Sequence, residues 1–358
     1  MVKKRPLGKL IVPKQKPKVL VIGTGGAISA KPVKGKWVYG EIPIQELIST
    51  TKRISEHFDV TATNVFRMDS SDMKPENWLT LANTIYYKMN EYDGIVVTIG
   101  TDTLAYAATA ISFLIQNNNI PIVFTGSKID STQLKSDARI NLRDAITVAG
   151  LSDIAETVIV FNGRIMRANR AKKVNASEIG AFRSFENPEL GKIEQFIHLK
   201  GEYRKRSKSK PALYNKLENL VATIKIYPGF DGNRVRSLVD YPVKGLVLEG
   251  FGLGNIPLLD NELKEGIKYA NKKNVPIVIA SNCELGEYWQ YIYEAEIGTR
   301  LKGMKVIPVY DMLPETAYVK LMWVLGQAQD FEEIKKMMQR PYCGEVSKFN
   351  SKNGKLGL

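Results

Sequence analysis

The apolar positions of the chain fall into two rhythms. Runs of strand length, rich in β-branched residues, occupy residues 19–22, 60–66, 94–98, 121–124 and 158–161. Unbroken runs of this kind suit strands buried on both faces of a parallel sheet, since a half-solvated strand alternates polar and apolar positions. Between them, segments at 75–90, 103–116 and 138–149 place apolar residues at helical spacing. The alternation predicts βαβ units and an α/β fold. A polar, basic stretch at 201–217 breaks the rhythm, which restarts in "LVATIKIYPGF", "GLVLEGFG", "PIVIASNC" and "MKVIPVY". A last helical pattern covers 314–325, and its Trp323 reads as core. The expected order is a basic arm (1–17), a larger N-terminal domain (18–200) with a mostly parallel sheet flanked by helices, a basic linker (201–217) and a smaller C-terminal α/β domain (218–358).

Length agrees with this division, because 358 residues exceed the roughly 250–300 at which single cores stop growing. With 44% hydrophobic and 25% charged residues the composition is that of a soluble globular protein. No apolar run reaches the roughly 18 residues of a membrane span, so no membrane partner is expected. The start, "MVKKRPLGKLIVPKQKPKVLV", is basic but lacks the apolar core of a secretory signal, and Pro6, Pro13 and Pro17 interrupt any helix. Cytoplasm is the expected compartment. Cys283 and Cys343 are too few and too far apart for a disulfide framework. His57 and His198 lack companions at ligand spacing, so no metal is expected. The net charge of +14 admits a nucleic-acid partner. Its densest run, "KGEYRKRSKSKPALYNK" at 200–216, reads either as a phosphate-contacting loop or as a solvated linker.

In a sheet of this class ligands collect where loops leave the carboxyl ends of strands. Four loops qualify, at 23–29, 69–73, 100–104 and 126–137. "GTGGAIS" lacks both the dinucleotide glycine spacing and the Gly-Lys-Ser/Thr ending of a phosphate loop. "MDSSDM" gathers Asp69, Ser70, Ser71 and Asp72 after a strand, either to hold a small polar ligand or to cap the helix opening at Pro75. "VVTIGTDTLAYAATA" offers Thr101, Asp102 and Thr103 just before a helix, where unpaired N–H groups favour a carboxylate or developing oxyanion; capping by Asp102 or Thr103 is the alternative.

Taken together these segments resemble the L-asparaginase family of bacterial and archaeal type, which includes the D subunit of archaeal glutamyl-tRNA amidotransferase. The resemblance runs from about residue 18 to 349. "GTGGAIS" is similar to the family's Thr-Gly-Gly-Thr-Ile-Ala, and "DGIVVTIGTDTLAYAA" to its Asp-Gly-x-Val-x-Thr-His-Gly-Thr-Asp-Thr box. Further likeness lies in "PIVFTGS", "SDARINLRDA", "RANRAKK", "FRSFENPELGKI", "LEGFGLGNIP" and "ETAYVKLMWVLG".

The resemblance implies a two-domain asparaginase-like fold and a threonine hydroxyl that attacks a side-chain amide, giving an acyl-enzyme that water hydrolyses to a dicarboxylic amino acid and ammonia. It assigns Thr101, Asp102 and Lys173 to the family's second threonine group, where a buried ammonium would have its pKa lowered and take up the threonine proton. Ser70 and Ser71 match the pair that holds the substrate α-carboxylate, Asp102 also pairs with the α-amino group, Gly26 and Gly100 line the substrate, and Tyr39 matches the flexible-loop tyrosine. It implies no cofactor, and subunits paired as dimers or tetramers.

Three positions depart from the pattern. Ala27 stands where the family has its primary threonine nucleophile, Ile99 where it has histidine, and Leu253 where some members carry a substrate-contacting asparagine. Thr24 precedes the glycines and Ser29 lies two residues beyond, so neither is expected to substitute. Glu249 and Asn255 occupy the matching second-domain loop and either reach a neighbouring pocket or merely finish a strand. The favoured activity is L-asparagine hydrolysis, attenuated or lost through Ala27. The alternatives are a disabled enzyme that still binds substrate, and a non-catalytic homologue that binds an amino acid or serves as an amidotransferase-type subunit with tRNA. Against the last, the arm before residue 18 is shorter than the extra amino-terminal domain expected of that subunit.

Overall fold

The computed structural model describes residues 15–51, 53–185, 189–259, 261–284, 301, 303–328 and 330–347. Five strands run parallel in the spatial order Asp59–Met68, Lys18–Gly25, Gly94–Thr98, Ile122–Thr125 and Thr157–Phe161. Arg164–Arg167 then turns back antiparallel, and Gly191–Ile193 and Ile197–Leu199 complete a mixed sheet of eight. Period-two alternation sends Val19 and Val21 to one face, under helix Ala138–Leu151, and Leu20 and Ile22 to the other, under helices Pro75–Lys88 and Leu104–Leu114. The expectation of burial on both faces holds for Gly94–Thr98 and Thr157–Phe161, in which every residue is buried. It fails for Asp59–Met68, which has no fully buried residue, because this strand closes the sheet edge.

The smaller sheet has four parallel strands, Val221–Lys225, Gly245–Gly250, Ile277–Ser281 and Val306–Pro308. Helices Asn233–Asp240 and Asn261–Lys272 cover one face through Val235, Leu263 and Ile267. Pro314–Leu325 covers the other and is wedged against Leu104–Leu114, with the ring of Trp323 stacked on Phe113 at 5.7 Å between centroids. One apolar core therefore runs from the first sheet through these two helices to Val247, Val278 and Ile307 of the second. The fold is the two-domain α/β arrangement expected.

The basic stretch is not the free tether that its composition suggests. Arg206 donates to the carbonyls of Ser152, Asp93 and Ala149, Arg204 to that of Ala155, and Ala212–Leu213 pairs antiparallel with Ile115–Gln116. Helix-end and loop carbonyls are thus given guanidinium donors. Lys205, Lys208 and Lys210 remain exposed.

A second long-range tie lies at the chain's last described segment. The Lys320 ammonium is 0% exposed and donates to the Met338 and Arg340 carbonyls and to Glu345, 2.6 Å away and equally buried. Glu345 also accepts the N–H groups of Tyr342 and Cys343. Burial by itself pushes the Glu345 carboxyl up, but the ammonium and these N–H groups outweigh it and hold the carboxyl below its usual range.

Candidate active site

Three of the four strand-end loops meet. Gly26, at φ +77°, lies so close to the 100–104 loop that a Cβ on it would stand 2.2 Å from the Gly100 nitrogen. A Cβ on Gly100 would in turn fall 2.5 Å from Ser70 Oγ. The Thr103 hydroxyl closes the set by donating to the Ser70 carbonyl at 2.7 Å. Replacing Gly26 by alanine should therefore cost about 1–3 kcal/mol in backbone strain alone and prise the 100–104 loop away from its neighbours. Thermal denaturation reads the first effect and ligand-binding calorimetry the second; an unchanged melting curve contradicts the packing described.

Thr101 and Asp102 lie at the amino end of Leu104–Leu114, and neither Asp102 nor Thr103 makes a side-chain cap. Their side chains are engaged elsewhere. The Lys173 ammonium donates to Thr101 Oγ1 at 2.9 Å and to Asp102 Oδ1 at 2.5 Å. Lys173 arrives on the short strand Ala171–Lys173, paired with Phe182–Ser184, and the turn before it is fixed by Arg170. That guanidinium is fully buried and donates to Asp311, to the Asp311 and Gly344 carbonyls and to Ser347. Alternation along the strand sends Lys172 the opposite way, to Glu284 and Glu315 of the second domain. The buried ammonium expected from the motif is instead partly open: the Lys173 side chain is 21% exposed and that of Asp102 is 60% exposed.

The 69–73 loop contributes an acidic wall. Asp69 accepts the Ser71 N–H and caps the short helical turn of residues 70–72, while at the start of the helix opening at Pro75 the Asn77 side chain accepts the Lys74 N–H, so the capping reading of "MDSSDM" applies only to that short turn. The hydrogen bond of Tyr39 to Asp69, and next burial, raise the phenol above its ordinary range. Burial pushes the Asp69 carboxyl up, but Ser71, Tyr39 and the Lys173 charge outweigh it and hold it low. Ser70 is buried with its hydroxyl covered, and Ser71 is exposed. The fourth loop, 126–137, is tied to itself at its ends, where Asp137 accepts the N–H groups of Lys128 and Ile129, while residues 132–135 are exposed.

Ala27 is the one residue of the 21–30 segment that is not buried, so its methyl stands at the accessible tip of the loop. Both nearby hydroxyls are committed to structure. Thr24 donates to the Thr98 carbonyl at 2.9 Å, and Ser29 is buried with its hydroxyl aimed at the Gly26 carbonyl. Ile99 is 1% exposed and belongs to the apolar core. Leu253 and Asn255 lie on the turn following Gly245–Gly250, Leu253 half-buried and Asn255 exposed. Sequence reasoning passed over Arg170, Asp311 and Glu345; the "RANRAKK" box pointed toward the first.

The family described as "Asparaginase, N-terminal" matches residues 18–205, and that described as "Glutaminase/Asparaginase C-terminal domain" matches residues 220–338. The chain belongs to the asparaginase family. Among its asparaginase-family relatives, the D subunit of glutamyl-tRNA(Gln) amidotransferase from Pyrococcus abyssi is 36% identical over 93% of this chain and 77% of that protein. An L-asparaginase of Thermococcus kodakarensis is 35% identical over 92% of this chain and 99% of that one. The solved thermostable L-asparaginase from Thermococcus kodakarensis superposes with a TM-score of 0.84 at 32% identity, covering 93% of this chain and 100% of that one. L-asparaginase I from Vibrio cholerae gives 0.82 at 31% identity, covering 93% and 100%.

Proposed function

We propose that the chain is an asparaginase-type amidohydrolase that converts L-asparagine to L-aspartate and ammonia through Thr101, at a rate held down by Ala27. The observation that carries the reading is the 2.9 Å contact between Lys173 Nζ and Thr101 Oγ1, with Asp102 on the same nitrogen. In this reading Lys173 Nζ is the group that takes the hydroxyl proton while Oγ1 bonds to the amide carbon, and the helix N-terminus favours the oxyanion that forms. Collapse expels ammonia, which takes up the proton, and water then cleaves the acyl ester. Asp102 receives the substrate ammonium and the exposed Ser71 its α-carboxylate, Ser70 supports that loop from beneath with its hydroxyl covered beside Gly100, and Gly26 and Gly100 let the backbone approach.

Thr101→Val should lower residual ammonia release at least about 100-fold, the loss typical of removing a proton-transfer partner, while L-aspartate binding by calorimetry persists. Turnover unchanged in Thr101→Val removes the proposal. A second reading, a non-catalytic amidotransferase-type component, is favoured by Ala27 together with the likeness to the amidotransferase chain of Pyrococcus abyssi. Filter binding of tRNA with a steep salt dependence, alongside absent ammonia release, supports that reading instead.

A further inference from the structure

Two basic segments, far apart in the sequence, account for nearly all of the chain's charge. Residues 1–18 hold seven lysines and arginines and no acid, and residues 200–216 hold seven and one acid, Glu202. Together they carry +13 of the net +14, so the rest of the chain is close to neutral. A general enrichment in surface lysine spreads its excess over every face. This excess is segregated.

The fold brings the two segments to one place, the edge at which the parallel strands of the large sheet begin. Asp93, just ahead of Gly94–Thr98, accepts the main-chain N–H of Lys18 on its carboxylate at 2.8 Å and Arg206 on its carbonyl at 2.7 Å. Lys16 and Lys18 share the wall of a cavity of about 590 Å³ with Arg206, Asp93 and Asp153. Residues 153–155, which lead toward Thr157–Phe161, pair with 204–206: the Ala155 N–H donates to the Arg204 carbonyl, and the Arg206 N–H to that of Asp153. From this braced backbone Lys205, Lys208 and Lys210 stand in solvent. The two acids of the cavity wall are already engaged, Asp93 by Lys18 and Asp153 by the Tyr203 hydroxyl at 2.8 Å and Lys205 at 3.8 Å. Thr101 lies at the opposite edge, beyond the end of Gly94–Thr98.

We propose that this edge is a docking surface for nucleic acid, holding the phosphodiester backbone through the basic arm and through Lys205, Lys208 and Lys210. Lysines one or two residues apart neutralise successive phosphates without reading sequence. Ser207 and Ser209 stand between them, hydroxyls that suit phosphate oxygens, and the run 204–210 contains no apolar side chain to insert into a bilayer. The surface is separate from the Thr101 loops, so the inference stands under either reading of those loops.

Fluorescence anisotropy of the full chain with a labelled RNA hairpin, repeated with a DNA duplex and over a range of sodium chloride, tests this. The logarithm of affinity should fall against that of salt with a slope of about −4 to −5, the release expected when about five phosphates are neutralised. Combining Lys205→Glu, Lys208→Glu and Lys210→Glu should weaken binding at least about tenfold and make the slope shallower by about three. Lys3→Glu with Lys4→Glu and Arg5→Glu should weaken it as well. Lys268→Glu, Lys272→Glu and Lys273→Glu together make the same change of charge at exposed positions of the second domain and should cost no more than about twofold at physiological salt. Saturating L-aspartate should change nothing. Equal affinity for RNA and DNA assigns the surface to the phosphate backbone alone, and a preference for RNA adds the A-form helix or its 2′-hydroxyls; either supports the proposal. An affinity insensitive to salt, equal losses in the first and last triple variants, displacement by L-aspartate, or tighter binding to phosphatidylserine vesicles than to both nucleic acids overturns it.

Discussion

Ala27→Thr is expected to raise ammonia release from L-asparagine by at least about two orders of magnitude, the scale on which an essential nucleophile and its proton acceptor act. The added hydroxyl stands at the loop tip, the one place in residues 21–30 that burial does not close. It also has no internal competitor, because Thr24 and Ser29 are already tied to backbone carbonyls. A steady-state ammonia assay of the parent chain, Ala27→Thr and the double variant with Thr101→Val reads the outcome. If Ala27→Thr gains activity that Thr101→Val removes again, both threonines act on one substrate. Should Ala27→Thr release ammonia no faster than the parent, a missing hydroxyl is not what limits turnover, and the part of the proposal that ties a low rate to Ala27 falls.

The second large effect concerns stability. Glu345→Gln leaves the Lys320 ammonium in a fully buried place without its counter-charge, which should cost about 3–5 kcal/mol, a sizeable share of the roughly 5–15 kcal/mol that holds a domain folded. Lys320→Met strands the carboxylate and should cost a similar amount, whereas combining the two changes should recover much of the loss. Urea denaturation of the four proteins measures this; additive losses would deny the coupling. The pH dependence has a definite sign. Because the Glu345 carboxyl is held below its unfolded value, its contribution is complete above the ordinary carboxylate range and fades as pH falls through the folded value. The stability gap between the parent and Glu345→Gln should therefore narrow below about pH 4.

The central strands were legible because burial on both faces leaves a signature that polar positions cannot mimic, as in "GIVVT", which is buried throughout. The helix at Pro314–Leu325 was legible for a related reason, its apolar positions recurring without interruption. The meeting of Gly26, Gly100 and Ser70 could be expected from topology, since adjacent parallel strands end at the same edge. What connects Arg170 to the last segment could not be read this way. Asn169 bonds Cys343 across 174 residues, and such a contact depends on how the two domains dock rather than on any local period. The basic stretch misled for the opposite reason: composition alone does not distinguish an arginine that binds carbonyls from one that faces water, and Arg204 and Arg206 do the former.

Lys172 and Lys173 share one three-residue strand and point to opposite sides of it. One is fastened to Glu284 and Glu315, and burial, which would weaken its hold on a proton, is outweighed by those two carboxylates. The other touches the Thr101 hydroxyl. The two ion pairs therefore fix Lys173 against the position of the smaller domain, so that a displacement of that domain carried through Lys172 would change the reach between Nζ and Thr101 on which the proposed chemistry depends.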